Sequence, residues 1–373
     1  MTTAATTRAE GFSEMRVVLD GTPLLGQRTG IGRYTARLAA ELGAAPDCRP
    51  RLLGLTARGR RALRRVAPEG TAVRGLPAPA RVLHSCWAAT EFPPVELLAR
   101  SADLVHGTNF VQPPSARVPG VLTVHDLDFL KTAPGGGRSF RARLTERSVR
   151  RASVVCTPTE AVAAEVAGRF DLDHGRIVVT PLGVDREWFE AVPPDEALRR
   201  EYGLPPAYLL FVGDAGPRKG LPTLAEAVDA RLPPLVTAGP GQPGAESALP
   251  GGGTSVHTGY LPERVLRRVV AGAEALVLPS RDEGFGLPAL EAMAAGVPVV
   301  CSDVPALREV TAGHALLAPH GDASALRAAL HRAVGSAAER EPRQRAREHA
   351  AGFTWRGCAE ATLRAYRLAL AVG

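Results

Sequence analysis

Lysine is almost missing from this chain. Of its 45 Lys+Arg residues only Lys131 and Lys219 are lysines, so any role that needs a compact ammonium is confined to two positions. The bias toward arginine points to a GC-rich bacterial genome. Aromatic residues make up 5% and no recognised RNA motif appears, which argues against a base-stacking surface and a nucleic-acid partner. No apolar run reaches the roughly 18 residues that a membrane-spanning helix needs. The five cysteines (48, 86, 156, 301 and 358) are odd in number, scattered and without C-x-x-C spacing. They speak for a reducing cytoplasm and against zinc or a disulfide framework. Residues 1–14 are rich in Thr and Ala and lack the apolar core of a signal peptide; they are expected to be a disordered tail, with Met15 as an alternative start.

What is present is an ordinary globular composition, 45% apolar over 373 residues, enough for two domains or one large α/β domain. The net charge of +7 is uneven. Residues 1–185 hold 25 Lys+Arg against 17 Asp+Glu, a net of +8, and the remainder is near neutral. The basic stretches at 58–65 and 138–151 would suit an anionic acceptor, acidic lipid headgroups or nucleic acid, and equally an ordinary solvated face.

The most informative stretch is 276–303, LVLPSRDEGFGLPALEAMAAGVPVVCSD. Its apolar start reads as a strand buried in a parallel sheet. A polar, glycine-flanked turn follows, and Pro288 marks the beginning of a helix that stops at Gly296, before a second strand over 297–301. The unpaired N–H groups of Gly284, Phe285, Gly286 and Leu287 at that helix start suit phosphate oxygens. Glu283 in the turn and Glu291, placed in the first helical turn, flank them as acceptors for hydroxyl groups. Phosphate donors beside diol acceptors describe a nucleotide-sugar site, although spacing alone also allows a dipole-complementing Glu291 and a solvated Glu283.

Elsewhere the chain alternates strands and helices. RVVLD (16–20) is a first strand, and Gly30 and Gly32 open a helix carrying Ile31, Tyr34, Leu38 and Leu42 on one stripe. The third glycine of a dinucleotide fingerprint is missing there. DLVHGTNF (103–110) and GVLTVHDLDF (120–129) end in polar corners, which places His106, Asn109 and His125 at the carboxyl ends of strands, where open α/β sheets bind ligands. Thr159 caps a helix. The pairs Asp126/Asp128 and Asp171/Asp173 form D-x-D patterns but fit a metal role poorly, and no metal is expected. A polar linker covers 186–206. YLLFVGDAGPRKG (208–220) is then strand, turn and helix, with Gly213, Arg218 and Lys219 in the turn. A flexible Gly/Pro loop is expected over 239–253, and Trp355, Ala359, Leu363 and Tyr366 lie on one stripe of a terminal helix.

The E-x7-E spacing of Glu283 and Glu291 within EGFGLPALEAMAAGVPVV closely resembles the signature of retaining GT-B glycosyltransferases of family 4, in a mannosyltransferase-like group. GIGRYT and the 208–220 loop resemble the same family, and the likeness spans about 16–370. The resemblance implies an α/β GT-B fold: two Rossmann-like domains facing across a cleft, with a C-terminal helix over 353–373 crossing back. It places an acceptor-binding domain at 15–185 and a nucleotide-sugar domain at 207–352. It implies a retaining, metal-independent hexosyltransferase with a GDP- or UDP-linked mannose- or glucose-type donor and no cofactor. His125, Glu283, Lys219 and Arg218 would serve catalysis. Gly213, the Gly259-Tyr260-Leu261 turn, residues 283–287 and Glu291 would hold the donor, and Gly30, Ile31, Gly32, Tyr34, Asn109 and His125 the acceptor. Asp214 stands where relatives often carry Arg, which leaves that role to Arg218. The implied acceptor is a hydroxyl of a glycolipid, polysaccharide or natural-product intermediate, anionic or lipid-linked. The expected location is the cytoplasm, with peripheral contact at the inner membrane face through the basic half. Alternatives are an epimerase or phosphorylase of the same fold, the latter disfavoured by scarce lysine, and a non-catalytic polyanion binder.

Overall fold

Among the residues described by the computed structural model (14–25, 30–75, 80–99, 101–131, 139–336 and 339–372), fourteen strands form two seven-stranded sheets. The first contains β1 (Met15–Asp20), β2 (Cys48–Leu53), β3 (Ala72–Arg74), β4 (Leu104–Gly107), β5 (Gly120–Thr123), β6 (Val154–Thr157) and β7 (Ile177–Val179), in the order β3-β2-β1-β4-β5-β6-β7. The second contains β8 (Leu209–Val212), β9 (Leu235–Ala238), β10 (Gly244–Ala248), β11 (Thr254–Gly259), β12 (Ala275–Leu278), β13 (Val299–Ser302) and β14 (Leu316–Ala318), in the order β10-β11-β9-β8-β12-β13-β14. Both are doubly wound, with the strand order reversing beside β1 in one and beside β8 in the other. β8 pairs parallel with β9 and β12, and β12 with β13. Strands such as Ala275-Leu276-Val277-Leu278 are wholly buried because helices cover both faces, which is why they read as unbroken apolar runs.

By compactness the chain divides into one unit of Met1–Thr123, Arg138–Val155 and Thr362–Gly373 and another of Val124–Gly137 and Cys156–Ala361. The segment carrying His125 thus belongs with the second unit, and the terminal helix Trp355–Val372 contributes to both. The core of the second unit packs Leu209, Phe211, Val277 and Val300 against Leu224, Leu326 and Leu330. In the first, Val18, Leu53 and Val105 pack against Trp87, Val95 and Leu144.

Several expectations change. The segment 239–253 is not simply a loop: its Gly244–Ala248 strand pairs antiparallel with β11 at the sheet edge. Glycines and prolines around GAESA hid a strand with no apolar alternation. The linker 186–206 holds two short helices, Arg186–Phe189 and Glu196–Tyr202. Trp188 is buried, and Asp195 caps the second helix by accepting from the N–H of Leu198 at 2.9 Å. Gly30 and Gly32 lie in the first turn of the Gly30–Ala44 helix, as expected. The disordered tail called for residues 1–14 lies, Glu14 apart, outside the described residues.

Two other candidates belong to a buried network of the first unit. The Tyr34 hydroxyl lies 2.8 Å from Thr123 Oγ1, His106 Nε2 lies 2.7 Å from the same oxygen, and His106 Nδ1 lies 2.7 Å from the Tyr366 hydroxyl. All four residues are essentially inaccessible. Tyr34 is therefore an interior residue, not an acceptor-facing one, and His106 is occupied on both ring nitrogens. Replacing Tyr366 by Phe strands a buried imidazole nitrogen and should destabilise the protein by about 1–3 kcal/mol. Urea unfolding would register this as a lower midpoint at unchanged slope, and an unshifted midpoint would show that the network carries no stability.

Candidate active site

β8 and β12 are neighbours, but the chain leaves one toward β9 and the other toward β13, so their following loops flank a crevice position of the second sheet. The 213–220 loop and the 279–286 loop are tied together by backbone and side chain. The N–H of Arg281 donates to the carbonyl of Arg218 at 2.8 Å, and Arg218 Nη1 donates to the carbonyl of Asp282 at 2.8 Å.

Glu283 sits between them. Its Oε1 accepts from Lys219 Nζ at 2.6 Å and from Ser280 Oγ at 2.7 Å, and its Oε2 accepts from Arg218 Nη1 at 3.2 Å. Burial alone would raise this carboxyl, but the adjacent Lys219 and Arg218 charges outweigh it and hold it below the usual glutamate value. Arg218 is held above its own ordinary value: burial opposes its charge, and Glu283, Asp126, Asp128 and Asp214 over-compensate. Asp214 does not contact a ligand-ready surface as an arginine would. Its Oδ1 accepts from the N–H of Gly216 at 2.8 Å and shapes its own loop.

The helix that follows, Leu287–Ala294, explains the glycines of the signature. Gly286 caps it at φ +89°, a conformation L side chains avoid, and a Cβ there would lie 2.5 Å from Leu307 Cδ2. A Cβ on Gly284 would lie 1.7 Å from the carbonyl oxygen of His125, so only glycine admits this approach of the two main chains. Thr159 Oγ1 donates to the carbonyl of Gly284 at 3.0 Å while accepting from the N–H of Val162 at 3.2 Å. It is both helix cap and loop anchor. Phe285 is buried edge-on against Phe353, with ring centroids 5.8 Å apart, and Leu287 is buried too. What the turn offers is therefore main chain: among the described residues nothing accepts from the N–H groups of Phe285, Gly286 and Leu287. The helix ends in a Schellman motif, with Gly296 N–H bonded to Met293 O and Val297 N–H to Ala292 O.

Glu291 lies in the second turn, not the first, and is 3% exposed. His125 is 7% exposed at the corner after β5. Gly259 ends β11, Tyr260 beside it is exposed, and Leu261 points inward. Asp126 and Asp128 are occupied by protein groups. Asp126 Oδ1 accepts from the N–H of Asp128 at 3.3 Å, and Asp128 Oδ1 accepts from Arg281 at 2.9 Å. Burial raises the Asp126 carboxyl, with Arg218 opposing. Asp171 and Asp173 terminate and start neighbouring helical turns. Among the described residues no three His, Cys, Asp or Glu side chains gather as a metal set.

In the first unit, Gly30, Ile31 and Gly32 begin their helix and Asn109 follows β4. Phe110, next to Asn109, holds φ +58° with Arg141 4.7 Å over its ring, a strained corner that no sequence pattern announced. Sequence reasoning also missed Ser280 and Asp282. A hydroxyl three residues before Glu283 was the available signal for the former.

Residues 206–336 match the family model described as "Glycosyl transferases group 1", and residues 28–188 match "Glycosyltransferase Family 4". The O-antigen chain mannosyltransferase B of Escherichia coli is 32% identical over 286 residues, covering 71% of this chain and 74% of that one. The chain belongs to glycosyltransferase family 4. Sucrose-phosphate synthase from Thermosynechococcus elongatus matches this family 4 glycosyltransferase with a TM-score of 0.72 at 22% identity, over 96% of this chain and 100% of that one. The Anabaena protein HepE, solved in complex with UDP-glucose, gives 0.66 at 16% identity, over 94% and 98%. At such identities the likeness speaks for fold, and the two parallel sheets are the Rossmann-like pair of GT-B proteins.

Replacing Glu283 by Gln leaves Lys219 and Arg218 without their shared counter-ion. The expected loss at pH 7 is about 2 kcal/mol, less than for a wholly buried pair because Arg218 keeps some solvent. Since the native carboxyl titrates below its unfolded value, its stabilisation is complete above the ordinary glutamate range and disappears as pH falls through the native value. Wild type should thus lose more stability on acidification than Glu283→Gln. Urea unfolding at pH 7 and at about pH 3 measures this, and parallel pH profiles would contradict it.

Proposed function

We propose that this family 4 glycosyltransferase is a retaining, metal-independent hexosyltransferase. It moves a mannose- or glucose-type sugar from a GDP- or UDP-linked donor to the hydroxyl of a glycolipid, polysaccharide or natural-product intermediate. The observation that carries this reading is the Lys219–Glu283–Arg218 cluster beside the open amides of Phe285, Gly286 and Leu287. Two cations and a row of main-chain donors suit the charge that builds on a departing diphosphate, and they need no rearrangement to meet it. Glu283 Oε2 accepts one protein bond where a carboxylate oxygen has room for two, which leaves a place for a sugar hydroxyl.

In this reading Glu291 holds the ribose diol and the main chain of Gly259, Tyr260 and Leu261 borders the base. Gly213 lets backbone approach the donor, and His125 stands near the reacting carbon. Gly30, Ile31, Gly32 and Asn109 meet the acceptor. The name of the Escherichia coli relative supports a mannosyl donor and the HepE title a UDP-glucosyl one, so both belong in the test. The helix Ala57–Val66 exposes Arg58, Arg61, Arg64 and Arg65, which supports an anionic acceptor or acidic lipid near the first unit. No described helix is long and apolar enough to cross a membrane. We place the reaction in the cytoplasm, at the inner face of the membrane where the acceptor is lipid-linked.

Incubation with GDP-mannose, UDP-glucose and ADP-glucose should give transfer or slow hydrolysis of one donor, undiminished by EDTA. The anomeric proton of the product should show retained configuration by NMR. Lys219→Ala should lower kcat/KM by about 100-fold. A protein that binds polyanions but none of these donors would overturn the reading.

A further inference from the structure

A cavity of about 440 Å³ opens at the end of the second sheet opposite to the 213–220 and 279–286 loops. It lies where the chain enters β13 and β14, under the first turns of the Arg340–Ala351 helix. The 213–220 and 279–286 loops leave the carboxyl ends of the parallel neighbours β8 and β12, whereas the cavity lies at the entering ends of β13 and β14. The volume is that of a small-molecule pocket.

Its chemistry is divided. Val297, Val299 and Leu316 give it an apolar floor, and Arg343 and Arg345 give it a cationic rim beside the His314 imidazole. Glu339 and Glu341, at the start of the same helix, are both exposed. Glu341 meets Arg345 at 3.2 Å as an i,i+4 surface pair of little energy, easily exchanged for a better anion. His314 stacks on His349 with centroids 4.9 Å apart, and His349 Nε2 lies 2.8 Å from the carbonyl of Val310. Burial, then His349 and Arg345, hold His314 below its ordinary value, so the imidazole lines the pocket as a neutral polar group and the cations of the rim are the two guanidinium groups. Arg343 Nε also donates to the carbonyl of Gly296 at 2.5 Å, and Arg347 Nη1 to that of Ala294 at 2.9 Å. The pocket wall thereby braces the far end of the helix whose beginning holds the candidate donor amides.

We propose that this cavity is a binding site for a small organic phosphate with an apolar body, distinct from the donor site. The apolar floor selects against inorganic phosphate, and the two guanidinium groups select against the neutral analogue. The proposal does not depend on the transferase reading, because it uses none of the donor residues.

Isothermal titration of the full chain with phenyl phosphate, inorganic phosphate and phenol tests it, each with and without saturating UDP and GDP. Phenyl phosphate should bind more than about tenfold more tightly than either other probe, and nucleotide should leave that binding intact. Arg345→Ala, at an exposed position, should weaken it about tenfold through loss of a charge-assisted hydrogen bond. Ala315→Phe should fill the cavity and abolish binding while nucleotide affinity stays as in wild type. Displacement of phenyl phosphate by UDP or GDP, or unchanged affinity in both variants, would overturn the proposal.

Discussion

A single buried carboxylate organises the second sheet's crevice. Glu283 takes three side-chain bonds, from Lys219 and Arg218 of the loop after β8 and from Ser280 of its own loop. Without it, two cations would face each other in a poorly solvated corner, and the loops after β8 and β12 would lose their strongest tie. The backbone bonds of Arg281 and Arg218 fix the same pair of loops from the main chain. Charge and backbone thus specify one arrangement twice over, as the proposed anion site requires.

The Leu287–Ala294 helix transmits that order along its axis. At its start a glycine in a left-handed conformation turns the chain, and the N–H groups of Phe285, Gly286 and Leu287 have no acceptor among the described residues. At its end a Schellman turn and two arginines of the Arg340–Ala351 helix satisfy the last carbonyls. Every residue from Ala289 to Ala294 is buried, so the helix has no exposed face on which to tilt. Its position is set by packing, and its two polar ends are left for chemistry at one side and bracing at the other.

How much of this was legible depended on whether the signal was local. Helix stop at Gly296, Thr159 as cap and the buried strand before the signature turn are decided within a few residues, and each was readable. The alternation of strands and helices was legible as α/β, and the pair of Rossmann-like sheets was expected only through the family resemblance. The buried network of Tyr34 and His106 was not legible, because a strand-end histidine and a helical tyrosine look alike whether they meet a ligand or a shared interior hydroxyl. Only the tertiary approach of Thr123 and Tyr366 decides it. β10 escaped because an edge strand paired on one side needs no apolar alternation. Glu291 falls in the second turn because the helix begins at Leu287, one residue before Pro288, which moves Glu291 from the fourth helical position to the fifth.

The scarcity of lysine turns out to carry positional information. A chain that uses arginine at 43 of its 45 basic positions keeps lysine at only two, and both meet consecutive acids of one turn. Lys219 pairs with Glu283 at 2.6 Å and Lys131 with Asp282 at 2.5 Å. The two sites differ in what they demand. Lys131 is 44% exposed and also reaches Glu165 at 2.8 Å, a surface role that an arginine fork would fill as well. Lys219 is 12% exposed and reaches an oxygen already shared with Ser280, where a planar guanidinium would need room on both flanks. A point charge with three donors on one nitrogen fits that corner and keeps donors for a second anion. Arg218, whose Nη1 serves both the Asp282 carbonyl and Glu283 while its Nε faces Asp128 at 4.0 Å, holds the neighbouring place where breadth is useful. The division of labour between adjacent Arg218 and Lys219 is therefore set by geometry, against the chain's own compositional drift.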